Sequence, residues 1–414
     1  MTNRPLSFAT VILLTAAISG CGPRLVQVRT AEPVTLGVET LLRDSLGVLR
    51  GKRVGLITNH SGRDRAGRST IDLLHRATGV QLTALFGPEH GLRGVAGAGE
   101  HVASGVDSAT GLPVYSLYGE TRVPTAEMMR TVDVLVYDIQ DVGARVYTYP
   151  WTMAESMIAA GKAGKQFVVL DRPDPIRGDF VQGGVLDSAF RSFVGMYPIP
   201  LRYGLTVGEL ARWLVTDGGV KVDLTVIPMG GWKRSMWWEQ TGLTWVNPSP
   251  NLRTVEATIL YPGTVMFEGT NLSEGRGTEA PFQLVGAPWL TDAGAIARAL
   301  NARGIAGVRF DSTARTIEKG QKWGTQAIPM LHVTVTERER VKPLQVAAWM
   351  LYEIRSRHQA DFQWKAATVD RLFGSRRLRE AVEAGPAAME RLFTQLGAES
   401  ESWKASARRV WLYP

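Results

Sequence analysis

Four places in the sequence set ionisable and amide side chains directly after a short apolar run: Asn59-His60, Glu89-His90, Asp138 with Gln140 and Asp141, and Asp171-Arg172. Carboxylates and imidazoles move protons and amides hold polar ligands, so their recurrence at equivalent places points to a site. The tightest case is FGPEHGLRG, Phe86 to Gly94, where a glycine-proline turn precedes Glu89 and His90 and a glycine follows. Gly87, Pro88 and Gly91 restrict that loop enough for the backbone to aim the carboxylate. Taken singly, an Asp or Asn in such a place is more often a helix cap or turn former.

The elements that carry these groups follow from the apolar runs RVGLIT (53–58), LTALF (82–86), VDVLVYDI (132–139) and QFVVLD (166–171). Runs so continuously apolar read as strands buried on both faces. Helical patterns lie between them: STIDLLHRAT from a Ser69 or Thr70 cap, TAEMMRTV from Thr125, and WTMAESMIAAGKAG ending at glycine. Strand and helix in alternation give an α/β fold with a Rossmann-like, doubly wound parallel sheet. Ligands of such sheets bind beyond the carboxyl ends of the strands, so all four polar clusters converge on one edge. Neither a G-x-G-x-x-G after the first strand nor a G-x-x-x-x-G-K-[ST] occurs, which argues against a nucleotide site.

Two further stretches belong to the same edge. YDIQDVGARVYTYPWT (137–152) combines Asp138, Gln140, Asp141 and Arg145 with Tyr147 and Tyr149, and aromatic rings beside polar donors are how proteins hold sugars. YPGTVMFEGTNLSEGRGTEAPF (261–282) reads as a strand that becomes a glycine-spaced loop bearing Glu268, Asn271, Glu274, Arg276 and Glu279. Loops rich in both glycine and charge on a rigid scaffold are where function concentrates, although solvated surface charge is the plainer alternative. Beyond it come a helix through TDAGAIARALNARG, strands GVRFDSTART and AIPMLHVTVTE, and the amphipathic helix PLQVAAWMLYEIRSRH. These divide the chain into a larger α/β domain over 37–285 and a smaller α+β domain over 286–414, with a cleft between them.

With 414 residues and 44% hydrophobic content the chain can bury a large core in two domains. Its formal charge of +8 comes from scattered Lys and Arg with no basic cluster or binding signature, so nucleic acid is not expected as a partner. The N-terminus, MTNRPLSFATVILLTAAISGC, has a charge at Arg4, an apolar run too short to span a membrane, and small residues before Cys21, the only cysteine. It resembles a lipoprotein signal (1–20) with lipidation at Cys21, followed by a flexible tether (21–36). That places the mature chain on a membrane through its lipid, facing the periplasm from the outer membrane in a host with two membranes.

The motifs FGPEHGLRG, YDIQDVGARVYTY, DRPDPIRGDFVQGGVLD, FRSFVGMYPIPLRYGLTVGELARWL, NPSPNL and YPGTVMFEGTNLSEGRGT, in this order, resemble the NamZ-type exo-β-N-acetylmuramidases, a family of peptidoglycan-processing glycosidases. The resemblance runs from about Leu36 to the C-terminus. It implies a Rossmann-like domain and an auxiliary domain around the site, and removal of N-acetylmuramic acid from the non-reducing end of a peptidoglycan-derived glycan without a cofactor. The family's catalytic glutamate falls on Glu89. One departure is TNHSG, where the family more often has proline than His60, so the resemblance assigns His60 no role.

Glycoside cleavage needs an acid for the leaving oxygen and a second group, usually a carboxylate, for the oxocarbenium-like sugar. Glu89 suits the first role, with His90 beside it; Asp138 or Asp141 suits the second, unless the substrate's 2-acetamido group is the nucleophile. Asn59, Gln140, Tyr147, Tyr149, Glu268, Asn271 and Glu274 are candidates for holding the sugar. Arg145 or Arg276 has the fork geometry for the lactyl carboxylate. Two other readings stay open: a hydrolase with His60, His90, Asp138 and Asp141 around a metal, and a tethered lipoprotein that binds wall fragments without cutting them. Against the metal, no H-E-x-x-H or closely spaced His pair exists.

Overall fold

The apolar runs become neighbouring parallel strands. In the structure, a computed structural model describing residues 34–414, they are β1 (Arg53–Thr58), β2 (Gln81–Gly87), β5 (Val134–Asp138) and β6 (Gln166–Leu170), with β3 (Gly105–Val106) and β4 (Pro113–Ser116) between β2 and β5 in sequence. After them come β7 (Gln182–Val185), β8 (Pro200–Arg202) and β9 (Asp223–Ile227). One seven-stranded sheet has the order β3-β4-β2-β1-β5-β6-β9, parallel except for β3 against β4. Successive residues of β5 feed opposite cores: Leu135 and Tyr137 join one apolar cluster, Val134 and Val136 the other. Burial on both faces is what demands an apolar residue at every position. Of the strands absent from the sequence reading (β3, β4, β7, β8, β9 and, further on, Leu284–Gly286), β9 is an edge strand whose residues are mostly half-exposed, so no continuous apolar run marks it.

The expected helices form where the caps place them. Ser69 accepts the Ile71 N–H at the start of Thr70–Arg76, Thr125 caps Ala126–Arg130, and Tyr149–Lys162 follows the third apolar run. The segment read as a strand from Tyr261 is instead the end of a helix, Val255–Thr264. Thr254 caps it, and its last turns are buried all round, so its apolar residues carry no period that separates helix from strand. Gly263 lets it lie directly on the helix Pro343–Arg357, since a Cβ there would fall 1.9 Å from the Pro343 carbonyl oxygen.

The second sheet is antiparallel, β10 (Leu284–Gly286), β12 (Ala327–Val335) and β11 (Val308–Thr316) in that spatial order. The boundary expected at 285/286 therefore falls inside β10. The C-terminal tail returns to the first sheet, where Tyr413 donates its hydroxyl to Asp171 at 2.6 Å and Arg234 donates its backbone N–H to the Pro414 carbonyl at 3.0 Å. Residues 34–414 accordingly make one compact unit.

The signal segment 1–20, Cys21 and most of the tether 21–36 lie outside the described residues. The tether's end is not loose. Val34 is fully buried, and the Val34 and Thr35 N–H groups donate to the Thr241 and Gly230 carbonyls at 3.0 and 2.9 Å.

Candidate active site

The loop after β2 answers why Glu89 and His90 stand together. His90 and Gly91 both take left-handed backbone conformations (φ 69° and 71°), a region that histidine tolerates better than bulky or branched residues. The Gly91 N–H closes a turn onto the Pro88 carbonyl at 2.9 Å. The His90 imidazole then staples the loop by donating Nδ1–H to the Ala96 carbonyl at 2.6 Å. Glu89 is held at both oxygens: Oε1 accepts the Gly99 N–H at 2.7 Å, and Oε2 pairs with the Thr148 hydroxyl at 2.6 Å. Thr148 stands at the N-cap of Tyr149–Lys162 but makes no side-chain cap bond, so its hydroxyl is left to serve Glu89 instead. Burial, and then the neighbouring Glu89 carboxylate, pushes the Tyr118 phenol up to about 12.

Glu89 opens onto a cavity of about 300 Å³ whose wall also includes His90, Gly99, Tyr118, Tyr147, Thr148, Ser249, Tyr261, Glu268, Arg276, Phe282 and Arg371. That is the small end of the range for ligand pockets, suited to one sugar. Its aromatic side is a chain of edge contacts, Tyr147 to Tyr261 at 6.0 Å and Tyr261 to Phe282 at 4.8 Å. Glu268 lies across an ion pair with Arg276 at 2.6 Å, and Arg276 reaches Glu274 at 3.0 Å. Burial pushes the Glu268 carboxyl up, opposed by Arg276. Burial works against the charge on Arg276, yet Glu268 and Glu274 hold its proton more tightly than in an ordinary arginine.

Several expected site residues face elsewhere. Asp138 is fully buried under Arg172, at 2.5 and 2.9 Å, with the Thr70 hydroxyl also on it; this ion pair ties β5 to the segment after β6, and the carboxylate is not on the cavity wall. Asp141 accepts the Gly143 N–H at 2.9 Å and the Tyr203 hydroxyl, beneath the cavity rather than on its wall. Arg145, expected to read a carboxylate, has no exposed surface and donates to backbone carbonyls of Gly184, Ile199, Leu372 and Phe373 at 3.0, 2.8, 3.3 and 2.5 Å. Burial pulls its guanidinium down to about 9, and the four carbonyls are what keep the charge inside. Tyr149 is buried behind Tyr147, its hydroxyl on the Pro248 carbonyl at 2.7 Å. Asn59 accepts from Ser61, and Asn271 ties its loop to the Asp361 carbonyl at 2.8 Å.

Gln140 belongs to a second, separate cavity of about 430 Å³ with Ser61, Arg63, Arg172, Trp238 and Trp245. Among the described residues lining it the one acid is Asp64, which is held by Arg68 at 2.7 Å, so proton transfer is better served by the Glu89 cavity. The four groups weighed as metal ligands are each committed apart: His60 to the Asn247 carbonyl at 2.6 Å, His90 to Ala96, Asp138 to Arg172 and Asp141 to Tyr203. Among the described residues no three His, Cys, Asp or Glu side chains converge as a metal set.

Comparison with known proteins places this geometry. Residues 54–256 match the N-terminal part, and residues 259–413 the C-terminal part, of the exo-β-N-acetylmuramidase NamZ family. The chain belongs to the NamZ family. A relative from Bacillus subtilis (strain 168), a peptidoglycan β-N-acetylmuramidase NamZ, is 44% identical over 353 residues, 85% of each chain. Two solved structures of DUF1343 family proteins from Bacteroides fragilis NCTC 9343 share the fold: one with TM-score 0.85 at 35% identity, the other with 0.72 at 28%, each covering 92% of this chain and 99% of the other. The NamZ halves meet at 256–259, in the helix Val255–Thr264, some way before the boundary expected from the sequence.

Wall residues absent from the sequence reading left unequal traces. Thr148 lies inside YDIQDVGARVYTYPWT and Ser249 inside NPSPNL, while Tyr261 and Phe282 bracket the glycine-spaced loop, so all were in motifs already singled out. Arg371, on the helix Ala366–Phe373, was in none.

Proposed function

We propose that this chain removes N-acetylmuramic acid from the non-reducing end of peptidoglycan fragments, with Glu89 as the acid that protonates the leaving oxygen. Family membership supports the reaction, and one observation supports the residue: among the described acids lining the cavity, Glu89 is free of any cation while Glu268 is clasped by Arg276. The Gly99 N–H and the Thr148 hydroxyl fix the Glu89 carboxyl in one orientation, which is the preorganisation such a transfer needs. As the proton passes from Glu89 to the glycosidic oxygen, the C1–O bond breaks and positive charge grows on the sugar ring. With Asp138 and Asp141 committed elsewhere, Glu268 is the wall carboxylate left to steady that charge or to orient the 2-acetamido group. The aromatic row Tyr147, Tyr261 and Phe282 offers apolar faces to the ring.

The test is release of free N-acetylmuramic acid from a muramyl-terminated disaccharide, followed by mass. Glu89→Gln is expected to lower kcat by at least ~10²-fold with the fold intact. Near-normal turnover by that variant on an unactivated glycoside would remove Glu89 from the role, and tight binding without any turnover by the unaltered chain would favour a fragment-binding lipoprotein instead.

The signal-like N-terminus supports a further element of the proposal, that the mature chain is lipid-anchored at Cys21 and works at the cell envelope, facing the periplasm where the host has two membranes.

A further inference from the structure

The cavity holds two guanidinium groups in different electrostatic situations. Arg276 is bracketed by Glu268 and Glu274, and Glu274 also takes the Lys322 ammonium at 2.9 Å, so two acids and two bases form a closed set. Arg371 reaches the same wall from the helix Ala366–Phe373 and pairs with no carboxylate among the described residues. Its neighbour Asp370 is occupied by Arg379 at 3.1 and 2.8 Å. Once those pairs are struck, the wall keeps one acid without a cation, Glu89, and one cation without an acid, Arg371.

The helix that presents Arg371 is fixed from behind. Arg145 donates to the Leu372 and Phe373 carbonyls at its C-terminal end and, with the same guanidinium, to Gly184 and Ile199 beside the β7–β8 pair. Gly374 ends the helix in a left-handed conformation (φ 86°), where a Cβ would fall 2.9 Å from the Arg145 Nη2. Arg145 thus joins the last turn of this helix to the separate two-stranded β7–β8 sheet, and Leu372 next to it lines the cavity.

We propose that Arg371 reads the lactyl carboxylate of the muramic acid residue, with Arg145 as the positioning residue that sets its helix. This rests on the proposed function, since the lactyl ether is the only difference between muramic acid and N-acetylglucosamine. A carboxylate entering the cavity finds Arg276 already neutralised by its two glutamates, and among the described residues of the wall Arg371 alone offers an unpaired fork. With the leaving oxygen at Glu89, the lactyl group lies toward the Arg371 side of the wall.

The experiment compares kcat/KM for 4-nitrophenyl N-acetyl-β-muramide and 4-nitrophenyl N-acetyl-β-glucosaminide in the full chain, Arg371→Gln and Arg371→Lys, with inhibition by the two free sugars as a second measure of preference. Arg371→Gln is expected to shrink the preference for the muramyl substrate by roughly 10- to 100-fold, the loss of one charge-assisted contact. Arg371→Lys keeps the charge and is expected to recover part of it. Because Arg371 is exposed, both variants should melt close to the unaltered chain. A preference that survives Arg371→Gln at full size, or equal losses on both sugars, overturns the assignment. Failure of the unaltered chain to cleave the muramide would instead overturn the proposed function, so the two failures are distinct.

Discussion

Replacing Asp141 with Asn separates a structural from a chemical role for the acid that follows β5. The residue is 5% exposed, Oδ2 accepts from Gly143 and Tyr203, and the buried Oδ1 has no partner. Burial is the largest influence on it and pushes it from 3.8 up to about 6, with the hydrogen bonds to Oδ2 pulling only some of the way back. A carboxyl raised in the folded state holds a proton there that the unfolded chain has already released. Its stabilising contribution is therefore complete below about pH 4 and is lost as the pH climbs through about 6. A shift of that size corresponds to roughly 3 kcal/mol, an upper figure because water entry and relaxation soften it. Asn keeps an acceptor for Gly143 and Tyr203 and mimics the neutral acid at every pH. The stability of Asp141→Asn minus that of the unaltered chain should thus move in the variant's favour by about 1–3 kcal/mol between pH 4 and pH 7.5. Asp171, pushed by burial to about 7, tilts the two profiles alike and cancels in the difference, whereas Asp174, pushed by burial to about 7, is held up in part by the Asp141 charge, so its smaller rise in the variant adds to the difference in the same direction. Urea unfolding at several pH values gives the difference, and kcat on a muramyl substrate should fall less than ~10-fold. A difference that stays flat with pH, or a loss of ~10²-fold or more in kcat with folding intact, would refute this account and return Asp141 to the chemistry.

Gly143→Ala should destabilise the fold by about 2–4 kcal/mol in urea unfolding, since it adds a left-handed backbone penalty to overpacking. The backbone there has φ 72°, and the new Cβ would fall 2.5 Å from Asp174 Oδ1 and 3.0 Å from Ile176 Cγ1. Cys21→Ser should abolish lipid attachment and leave an unprocessed or soluble form, read by membrane fractionation and the mass of the N-terminal peptide; unchanged membrane attachment with no lipid on the protein would count against the anchor.

What was legible in the sequence depended on whether a residue's role is set by its neighbours in the chain or by partners far away. Strands β1, β2, β5 and β6 announced themselves because burial on both faces leaves no polar position, and Glu89 because glycine and proline constrain its loop within a few residues. The helix Val255–Thr264 did not, because complete burial erases the period that tells helix from strand. Asp138 and Arg145 were misplaced for a related reason. A charged residue just past a strand reads the same whether it meets substrate or a buried partner, and their partners, Arg172 and the carbonyls of Leu372 and Phe373, lie 34, 227 and 228 positions away.

The misplacement of Arg145 is also what makes the site intelligible. A guanidinium with no carboxylate beside it is costly to bury, and this one is retained with four carbonyls drawn from the β7–β8 region and the far end of the chain. A hydrophobic plug would fill that space but leave the β7–β8 pair and the helix unjoined, with the Leu372 and Phe373 carbonyls deprived of this partner. The arginine expected to touch the substrate therefore acts from behind the wall, holding the helix that brings Arg371 to a cavity whose acid comes from a loop more than 250 residues earlier in the chain. Neither half of the NamZ architecture alone completes that wall, because Glu89 and Thr148 come from the first and Glu268, Arg276 and Arg371 from the second.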